Sequence, residues 1–338
     1  MNRDAETQAL TFRVHGSVFR FESNNQELLV EARRDFGRYA CVSTRADGSV
    51  SLTRMEQNFP ISVPPRAIRD SFGPNESAIF TEAGRRYVTA GDRCIIRVDL
   101  SGRTVDGYCK PEYPVWPLLR TILKWFVLKK LEQNGIYFLH ASGGVQDDRC
   151  ILFVAPSGFG KTSALMSLLE EGYRMVTDDS VLCDGVAFYP FHTRSMIHTD
   201  MPNRFPIIQQ ALDHPSTSAR EGGWHVDLEN LFKAVHEPFV PDKLTLIHLY
   251  VWNSPATEWT WVKAKQMVAK MCHAYFLELA SSLWFGWERE KAARRVFEMY
   301  FQLTRRAASY EMHAGWDLKG FSESLLSLID SAARREPP

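Results

Sequence analysis

The chain has 338 residues, of which 45% are apolar and 24% charged, a balance typical of a soluble globular protein. This length suffices for two domains of ordinary size or for one large domain. The formal net charge is zero, so the overall charge gives no indication of nucleic-acid or membrane binding.

The cysteines and the apolar segments indicate a cytoplasmic protein. Six cysteines are spread along the chain without a C-x-x-C pair, which favours reduced thiols in a reducing compartment. The adjacent pair Cys272 and His273 does not supply a zinc site by itself. The N-terminus has no apolar stretch of secretory length. Charged residues interrupt the longest apolar region, 115–131, which falls short of the roughly 20 apolar residues that span a bilayer.

The first part of the chain predicts a β-rich α+β domain over residues 1–114. Residues 9–22 alternate apolar and polar side chains and predict a strand pair with a turn at His15-Gly16-Ser17. A short helix is expected next, followed by a second hairpin with Asp47-Gly48 as its turn. The helix is predicted over 26–38, the hairpin over 39–52, and further strands at 86–89 and 94–98. We expect this accessory domain to bind the substrate or a partner.

Prolines at 111, 114 and 117 mark the predicted boundary, and residues 115–338 predict a second, α/β domain. Its first element is a helix over 115–133, where apolar side chains recur at helical spacing. The later elements are strands at 136–140, 150–154, 174–177, 181–189, 244–252 and 309–312, a turn at Asp147-Asp148, and helices at 162–172, within 263–307, and at 322–333.

Residues 155–162, APSGFGKT, are similar to a phosphate-binding loop between an apolar strand and an amphipathic helix. The usual pattern is G-x-x-x-x-G-K-[ST], and Ala155 stands at its first glycine. In such a loop, backbone N–H groups and the helix N-terminus bind phosphate, the lysine contacts the β- and γ-phosphates, and the hydroxyl binds Mg²⁺. Thr162 is therefore a candidate Mg²⁺ ligand. The candidate nucleotide-binding residues are Ser157, Gly158, Phe159, Gly160, Lys161, Thr162 and Ser163.

The acidic pair Asp178-Asp179 turns a generic nucleotide motif into a candidate kinase site. A helix, a turn and a return strand fit between Lys161 and Asp178. We therefore expect both carboxylates at the carboxyl end of a strand that neighbours the loop, the edge at which open α/β sheets bind ligands. One carboxylate there can orient Mg²⁺, and a second can accept a proton from an attacking hydroxyl.

The stretch from His140 to Asp179 resembles the catalytic core of HPr kinase/phosphorylase, a family whose P-loop fold is related to PEP carboxykinase. That family combines a G-x-S-G-x-G-K-[ST] loop, a helix ending near R-G-H-R-L-V and a D-D pair. Here the chain has APSGFGKT followed by EEGYRMVTDD. A histidine followed by small residues also precedes the loop, as His140-Ala141-Ser142. The variant is more similar to divergent members such as the lasso-peptide precursor kinases, which phosphorylate a serine hydroxyl on a peptide.

The resemblance implies a role for each matching residue. His140 would lie close to the transferred phosphate, and Lys161 with its loop would hold the β-phosphate of ATP. Asp178 would hold Mg²⁺ with Thr162, and Asp179 would be the general base, although adjacent carboxylates can exchange these roles. The implied activity is an ATP- and Mg²⁺-dependent serine kinase in the cytoplasm, and a homo-oligomer is possible.

Three departures from the family pattern keep other functions open. Besides Ala155, the family's acidic E-I-R-G stretch has no evident counterpart, and FYPFHTR occupies about its place. The acceptor-side arginine is not evident either, and Arg194, Arg204 and Arg220 are candidates for clamping the γ-phosphate. The alternatives are a non-catalytic nucleotide-binding regulatory module and a kinase of a free small molecule such as an amino acid or sugar.

Further residues after the acidic pair have a weaker functional signal. Four histidines, His192, His198, His214 and His225, match no usual metal-ligand spacing, so we expect ordinary roles for them. Residues 219–224 contain two glycines and could form a lid or an acceptor-binding loop. Trp259 and Trp261 share one face of a predicted strand and are expected to pack in the core.

Overall fold

The computed structural model describes residues 8–72, 77–251, 254–282, 289–315 and 317–333 and shows a mixed α/β protein with several sheets. The chain folds into two compact units. The first unit contains Met1–Gly135 and Leu279–Ala292, and the second contains Ile136–Glu278 and Ala293–Pro338.

The first unit is built on one eight-stranded sheet with the strand order β1-β2-β3-β8-β7-β6-β5-β4. Its strands are β1 (Gln8–Val14), β2 (Ser17–Ser23), β3 (Gly48–Arg54), β4 (Ile68–Phe72), β5 (Ser77–Glu82), β6 (Arg85–Ala90), β7 (Cys94–Asp99) and β8 (Thr104–Cys109). Its helices are α1 (Gln26–Phe36), α2 (Val115–Leu118) and α3 (Trp125–Gln133), with a π-helical stretch at Leu119–Lys124 between the last two.

The first predicted hairpin is confirmed, and the second is wrong. Strands β1 and β2 pair antiparallel, and His15 and Gly16 turn between them with positive φ. Asp47 and Gly48 form no hairpin, because β3 starts at Gly48 and pairs parallel with β2 and β8. Instead, the Asp47 carboxylate accepts a hydrogen bond from the Val18 N–H at 2.9 Å.

The helical segment after residue 114 belongs to the first unit, so the division falls at Gly135 rather than after residue 114. The ring of Phe126 on α3 meets that of Phe19 on β2 edge-on, with centroids 6.2 Å apart. A Cβ on Gly48 would lie 2.7 Å from the Phe126 ring, so glycine permits this close approach. Asn134 also donates a hydrogen bond to the Ser17 hydroxyl at 2.8 Å. These contacts join the helix to the N-terminal sheet.

The second unit contains a six-stranded sheet with the order β12-β10-β11-β18-β20-β19 and two three-stranded sheets, β14-β13-β9 and β15-β17-β16. Its strands are β9 (Tyr137–Leu139), β10 (Ala141–Gln146), β11 (Arg149–Val154), β12 (Arg174–Thr177), β13 (Val181–Cys183), β14 (Phe188–Tyr189), β15 (Ser195–His198), β16 (Ser218–Arg220), β17 (Gly223–Val226), β18 (Lys243–Val251), β19 (Glu258–Trp261) and β20 (Ala307–Ala314). The helices are α4 (Lys161–Glu170), α5 (Met201–Arg204), α6 (Gln209–Leu212), α7 (Ala264–Ser282), α8 (Arg289–Arg305) and α9 (Leu318–Ala333), the first part of α8 and the end of α7 being counted in the first unit.

The order of the large sheet places two carboxyl strand ends at one edge. Strand β10 pairs antiparallel with both β11 and β12, so β11 and β12 run in the same direction. Asp178 therefore lies at the same edge of the sheet as the loop after β11, as predicted. The prediction that its strand is the neighbour of β11 is wrong, because β10 lies between β11 and β12.

Helix α4 is packed on two faces. Its Ala164 and Leu168 join a core with β11, β18, β20 and α9. Its Leu165 and Leu169 join a second core with Met175 of β12 and side chains from residues 197–228. This burial fixes the N-terminus of α4, at Lys161, relative to the carboxyl edge of the sheet.

Other predicted elements agree in part. Asp147 and Asp148 make the tight turn between β10 and β11, and Gly172 follows the end of α4 with a positive φ. All six cysteines carry free thiols. Trp259 packs edge-on against Tyr310, but Trp261 is 42% exposed, contrary to its predicted core position. Among the helices in the described parts of the chain, none combines the length and the apolar character needed to cross a membrane.

Candidate functional site

The loop after β11 combines two glycines in the left-handed backbone conformation with one buried alanine. Gly158 and Gly160 have φ values of 84° and 81°, which disfavour any residue with a Cβ although space is open around both. Ala155 is fully buried in the core and is not among the residues with positive φ. A glycine is therefore not required by the backbone at the first position of the motif.

Lys161, the first residue of α4, directs its ammonium group to three acceptors. Its Nζ lies 2.8 Å from His140 Nε2 and 2.9 and 3.0 Å from the carbonyl oxygens of Ala155 and Pro156. Lys161 is only 6% exposed, so its charge lies inside the loop rather than in bulk solvent. A buried ammonium group next to the glycine turns of the loop is a suitable partner for a phosphate oxygen.

Asp178 connects three chain segments through its carboxylate. The Ser142 hydroxyl donates to Asp178 Oδ1 at 2.6 Å, and the Thr162 hydroxyl lies 3.2 and 3.3 Å from the two carboxylate oxygens. Asp178 is 7% exposed. A buried carboxylate beside a threonine hydroxyl offers the hard oxygen ligands that Mg²⁺ prefers. The observed donor set therefore fits the metal that the sequence predicts here.

Asp179 has a left-handed backbone, with φ of 74°. Aspartate tolerates this conformation better than most residues with a side chain, but the conformation still costs about 1–2 kcal/mol relative to ordinary backbone. Because Asp178 and Asp179 have different backbone conformations, their side chains separate: Asp178 is buried, whereas the Asp179 side chain is 32% exposed. Strained residues of this kind cluster at functional sites.

His140 links the lysine to the second aspartate. Its Nε2 lies next to the Lys161 ammonium, and its Nδ1 lies 3.2 Å from the Asp179 carbonyl oxygen and 3.3 Å from Asp179 Oδ1. The ammonium can only donate, so Nε2 must accept and the ring proton lies on Nδ1, from which it faces the oxygens of Asp179. His140 is 1% exposed, and the arrangement forms one buried chain of polar groups from Lys161 to Asp179.

The remaining predicted loop residues have different surroundings. Ser157 and Gly158 are exposed, and Phe159 packs against the core that contains α9. The Ser163 hydroxyl lies 3.4 Å from the sulfur of Met201, outside the group formed by Lys161 and Asp178. The exposed backbone of the loop thus remains available for a ligand.

Ser142 belongs to this site although the sequence analysis gave it no role. It is the second residue of β10, two positions after His140, and its hydroxyl also accepts a hydrogen bond from the Asp179 N–H at 3.3 Å. The sequence signal was its place in the His140-Ala141-Ser142 triplet. Its role depends on the placement of β10 between β11 and β12, which no local pattern indicated.

The three arginines considered for a phosphate clamp make other contacts. Arg194 is 4% exposed and donates to the Ser216 carbonyl and the Ser218 hydroxyl. Arg204 pairs with Asp200 at 3.7 Å, and Arg220 contacts the carbonyl of Ala219. Residues 219–224, which could form a lid or an acceptor-binding loop, belong to the hairpin of β16 and β17.

Another buried histidine lies at the same sheet edge. His248 on β18 pairs with Val154, the last residue before the loop, and is 2% exposed. Burial, followed by the nearby charge of Lys270, lowers the pKa of His248 to about 4, so its ring is neutral at pH 7. A neutral ring adds no positive charge beside the loop.

Neither a protein-family model nor a curated protein matches this chain. The similarity to HPr kinase/phosphorylase therefore stays a prediction from the motif. The interpretation of the site depends on its geometry.

Proposed function

We propose that the second unit is an ATP-dependent kinase that phosphorylates a serine-type hydroxyl on a peptide or protein. The observation that supports it most is the convergence of Lys161, Thr162, Asp178, Asp179 and His140 at one edge of the sheet, through contacts of 2.8 to 3.3 Å. The proposal includes the HPr-kinase-like fold and a cytoplasmic location.

The loop and the first turn of α4 hold the phosphates of ATP. The backbone N–H groups near Gly158 and Gly160 contact phosphate oxygens, with Lys161 as the charged partner. Thr162 and Asp178 would hold Mg²⁺, which would supply positive charge to offset that of the phosphates. The Ser142 hydroxyl keeps the buried Asp178 carboxylate oriented.

Asp179 is the general base of the proposed reaction. Its carboxylate accepts the proton of the acceptor hydroxyl as the hydroxyl oxygen bonds to the γ-phosphorus. The bond from that phosphorus to the β–γ bridging oxygen breaks, and ADP leaves. Lys161 stabilises the charge that develops on the β- and γ-oxygens. His140 is a positioning residue, because its ring contacts both Asp179 and Lys161 and keeps the two side chains in place.

The second candidate function is a non-catalytic nucleotide sensor. It is favoured by the contacts of Arg194 with Ser216 and Ser218, which engage the buried arginine away from the role of a phosphate clamp. The negative φ and full burial of Ala155 count against it, because they remove one reason to consider the loop degenerate. A kinase of a small molecule uses the same site, and differs only in its acceptor.

Nucleotide binding is the first test. Calorimetry with ATP and Mg²⁺ should show binding that Lys161→Ala abolishes or weakens by about 100-fold, as expected when a buried charge partner is removed. Lys319→Ala is the matched control, because Lys319 lies on α9 with an 86% exposed side chain. Equal ATP affinity in wild type and Lys161→Ala would refute the proposal.

Phosphoryl transfer is the second test. Incubation with γ-labelled ATP and a library of serine-containing peptides, amino acids and sugars should label an acceptor, and Asp179→Asn should prevent it. Binding of ATP without transfer to any of these acceptors, together with unchanged behaviour of Asp179→Asn, would instead identify a sensor. Labelling confined to amino acids or sugars would exclude the peptide acceptor.

A further inference from the structure

Three side chains outside the loop site converge in the second unit. They are His192, which follows β14, Glu229 and His236, and their potential ligand atoms all lie within 4.8 Å of one another. His192 Nδ1 lies 3.3 Å from Glu229 Oε1, and His236 Nδ1 lies 3.9 Å from the same oxygen. We propose that these three residues bind one divalent transition-metal ion, for which Zn²⁺ fits best.

Local structure places each of the three ligands. His192 follows Phe191, whose carbonyl accepts a hydrogen bond from the Thr177 hydroxyl at 3.0 Å. Glu229 lies in a single helical turn, and its N–H donates to the Asp227 carboxylate that caps this turn. The third ligand, His236, follows Val235, whose N–H donates to the Met175 carbonyl at 2.8 Å. The backbone near each of the three ligands is therefore fixed by a hydrogen bond.

The hydrogen bonding of His192 prepares one nitrogen for a metal. His192 Nε2 lies 2.7 Å from the Val235 carbonyl oxygen, which can only accept, so the ring proton lies on Nε2. In the neutral ring, Nδ1 then presents a lone pair towards Glu229 Oε1, another acceptor. Two acceptors 3.3 Å apart need either a proton on Nδ1 or a cation between them. A carbonyl that fixes the second nitrogen is the usual partner of a metal-binding histidine.

The ligand set selects among metals. Two imidazole nitrogens and one carboxylate oxygen suit Zn²⁺, whereas Mg²⁺ and Ca²⁺ favour all-oxygen sites. Zinc bonds of about 2.0–2.1 Å in a tetrahedral site place neighbouring donor atoms about 3.4 Å apart. The His192–Glu229 distance already matches this spacing. His236 Nδ1, at 3.9 Å from the same Glu229 oxygen, lies somewhat beyond this spacing, and its side chain is 66% exposed.

The ion would fasten two segments that flank β12. One segment ends at His192 and bonds to Thr177, and the other runs from Glu229 to His236 and bonds to Met175. Since β12 leads directly into Asp178, the ion would stabilise the strand that carries this carboxylate. The site takes no part in the proposed phosphoryl transfer, and metal binding can be measured whether or not the protein is a kinase.

Metal titration of the full chain, purified without a polyhistidine tag and stripped with EDTA, tests the site. We expect one Zn²⁺ per chain by calorimetry, and one Co²⁺ per chain with the intense visible absorption of four-coordinate cobalt. His236→Ala should weaken Zn²⁺ binding by about 100-fold or more. Loss of a residue that only hydrogen-bonds a ligand weakens metal binding by about 10- to 100-fold, and loss of a ligand itself should cost at least as much. Glu229→Gln, which preserves side-chain size, should weaken it similarly.

The exposed His198 on β15 supplies the control. His198→Ala should bind Zn²⁺ as wild type does, and Zn²⁺ should raise the melting temperature of both proteins but not that of His236→Ala. Because His236 is exposed, its substitution should leave the circular dichroism spectrum unchanged. Absence of stoichiometric Zn²⁺ binding in wild type, or equal binding by His236→Ala, would overturn the site. The contact would then be an ion pair between protonated His192 and Glu229.

Discussion

Two histidines of the second unit make nearly the same contact and have opposite chemistry. His140 and His192 are both buried, and the Nδ1 of each lies 3.3 Å from a carboxylate oxygen, of Asp179 and of Glu229 respectively. The other nitrogen makes the difference. That of His140 meets the ammonium of Lys161, whereas that of His192 meets a carbonyl oxygen.

The contact of Nε2 determines which ring nitrogen carries the proton. The position of the proton then determines whether Nδ1 donates to the carboxylate or faces it with a lone pair. His140 carries its proton on Nδ1 and donates towards Asp179, so it can join the proposed base to the lysine proposed to bind phosphate. His192 carries its proton on Nε2 and turns a lone pair towards Glu229, so it can join a carboxylate to a metal ion. A histidine–carboxylate distance alone therefore does not assign a function.

The largest expected effect concerns the carboxylate next to His140. Asp179→Asn should lower the rate of phosphoryl transfer by about 10²–10⁴-fold, the usual contribution of a general base, while ATP affinity changes little. Single-turnover kinetics with the labelled acceptor, alongside ATP calorimetry, separate the two quantities. Asparagine tolerates the left-handed backbone, so the substitution removes charge without changing the conformation.

Asp147→Asn is the matched control for this experiment. Asp147 also has a positive φ, of 52°, and is exposed in the turn between β10 and β11. Its substitution should leave the rate unchanged. If Asp179→Asn transfers phosphate as fast as Asp147→Asn, His140 and Asp179 form a structural contact, and the contrast between the two histidines disappears.

The next effect concerns the positioning residue itself. His140→Phe keeps a ring of similar size but removes the acceptor for Lys161 and the donor to Asp179. Hydrogen bonds to charged groups contribute about 1.5–3 kcal/mol, so ATP affinity and transfer rate together should fall about 10- to 100-fold. His198→Phe, on the surface of β15, should leave both unchanged. A loss confined to thermal stability, with normal kinetics in the folded protein, would argue against the positioning role.

A smaller effect should follow from loosening β10. A Cβ on Gly143 would lie 2.4 Å from Leu152 Cδ2 and 2.5 Å from the Ile151 carbonyl oxygen. Gly143→Ala should therefore lower the free energy of unfolding by about 1–3 kcal/mol, measured by urea denaturation. A Cβ on Gly37 would meet only Arg33 Cβ, at 3.9 Å, and the φ of Gly37 is −61°, so Gly37→Ala should change stability by less than about 1 kcal/mol. Equal stability of the two variants would show that β10 does not depend on this close approach.

The last test needs no substitution, because NMR spectroscopy can determine the tautomers of His140 and His192 directly. Long-range ¹H–¹⁵N correlation spectra of the metal-free protein should show His140 with its proton on Nδ1. The spectrum of His192 should show the proton on Nε2 in the zinc-bound protein. The same tautomer for both histidines would contradict the comparison without any substitution.

The sequence was informative about the loop site because its signals are local. The glycines, the lysine and the strand–loop–helix order lie within a short stretch, and the return strand ends at Thr177, directly before Asp178. The placement of β10 between β11 and β12 was missed, and with it the contact of Ser142 with Asp178. Strand order depends on pairing between distant segments, which periodicity does not encode.

The second cluster was missed for the same reason. The histidines near His192 have no usual ligand spacing, so the sequence does not single it out, and no motif points to Glu229 or His236. They meet His192 because the 229–236 segment runs beside β12. The two segments are joined by an isolated backbone bridge between Met175 and Ala234. His198, on β15, and His225, on β17, lie outside the cluster, and the His214 ring hydrogen-bonds the Ser216 hydroxyl.

The left-handed backbone of Asp179 restricts which residues this position can accept. The proposed phosphoryl transfer requires a carboxylate there, but glutamate brings a longer chain to a conformation that favours glycine, asparagine and aspartate. Only aspartate meets both conditions. Sequence variants at position 179 should therefore divide into aspartate in active proteins and glycine or asparagine in inactive ones, and glutamate should be rare in either group.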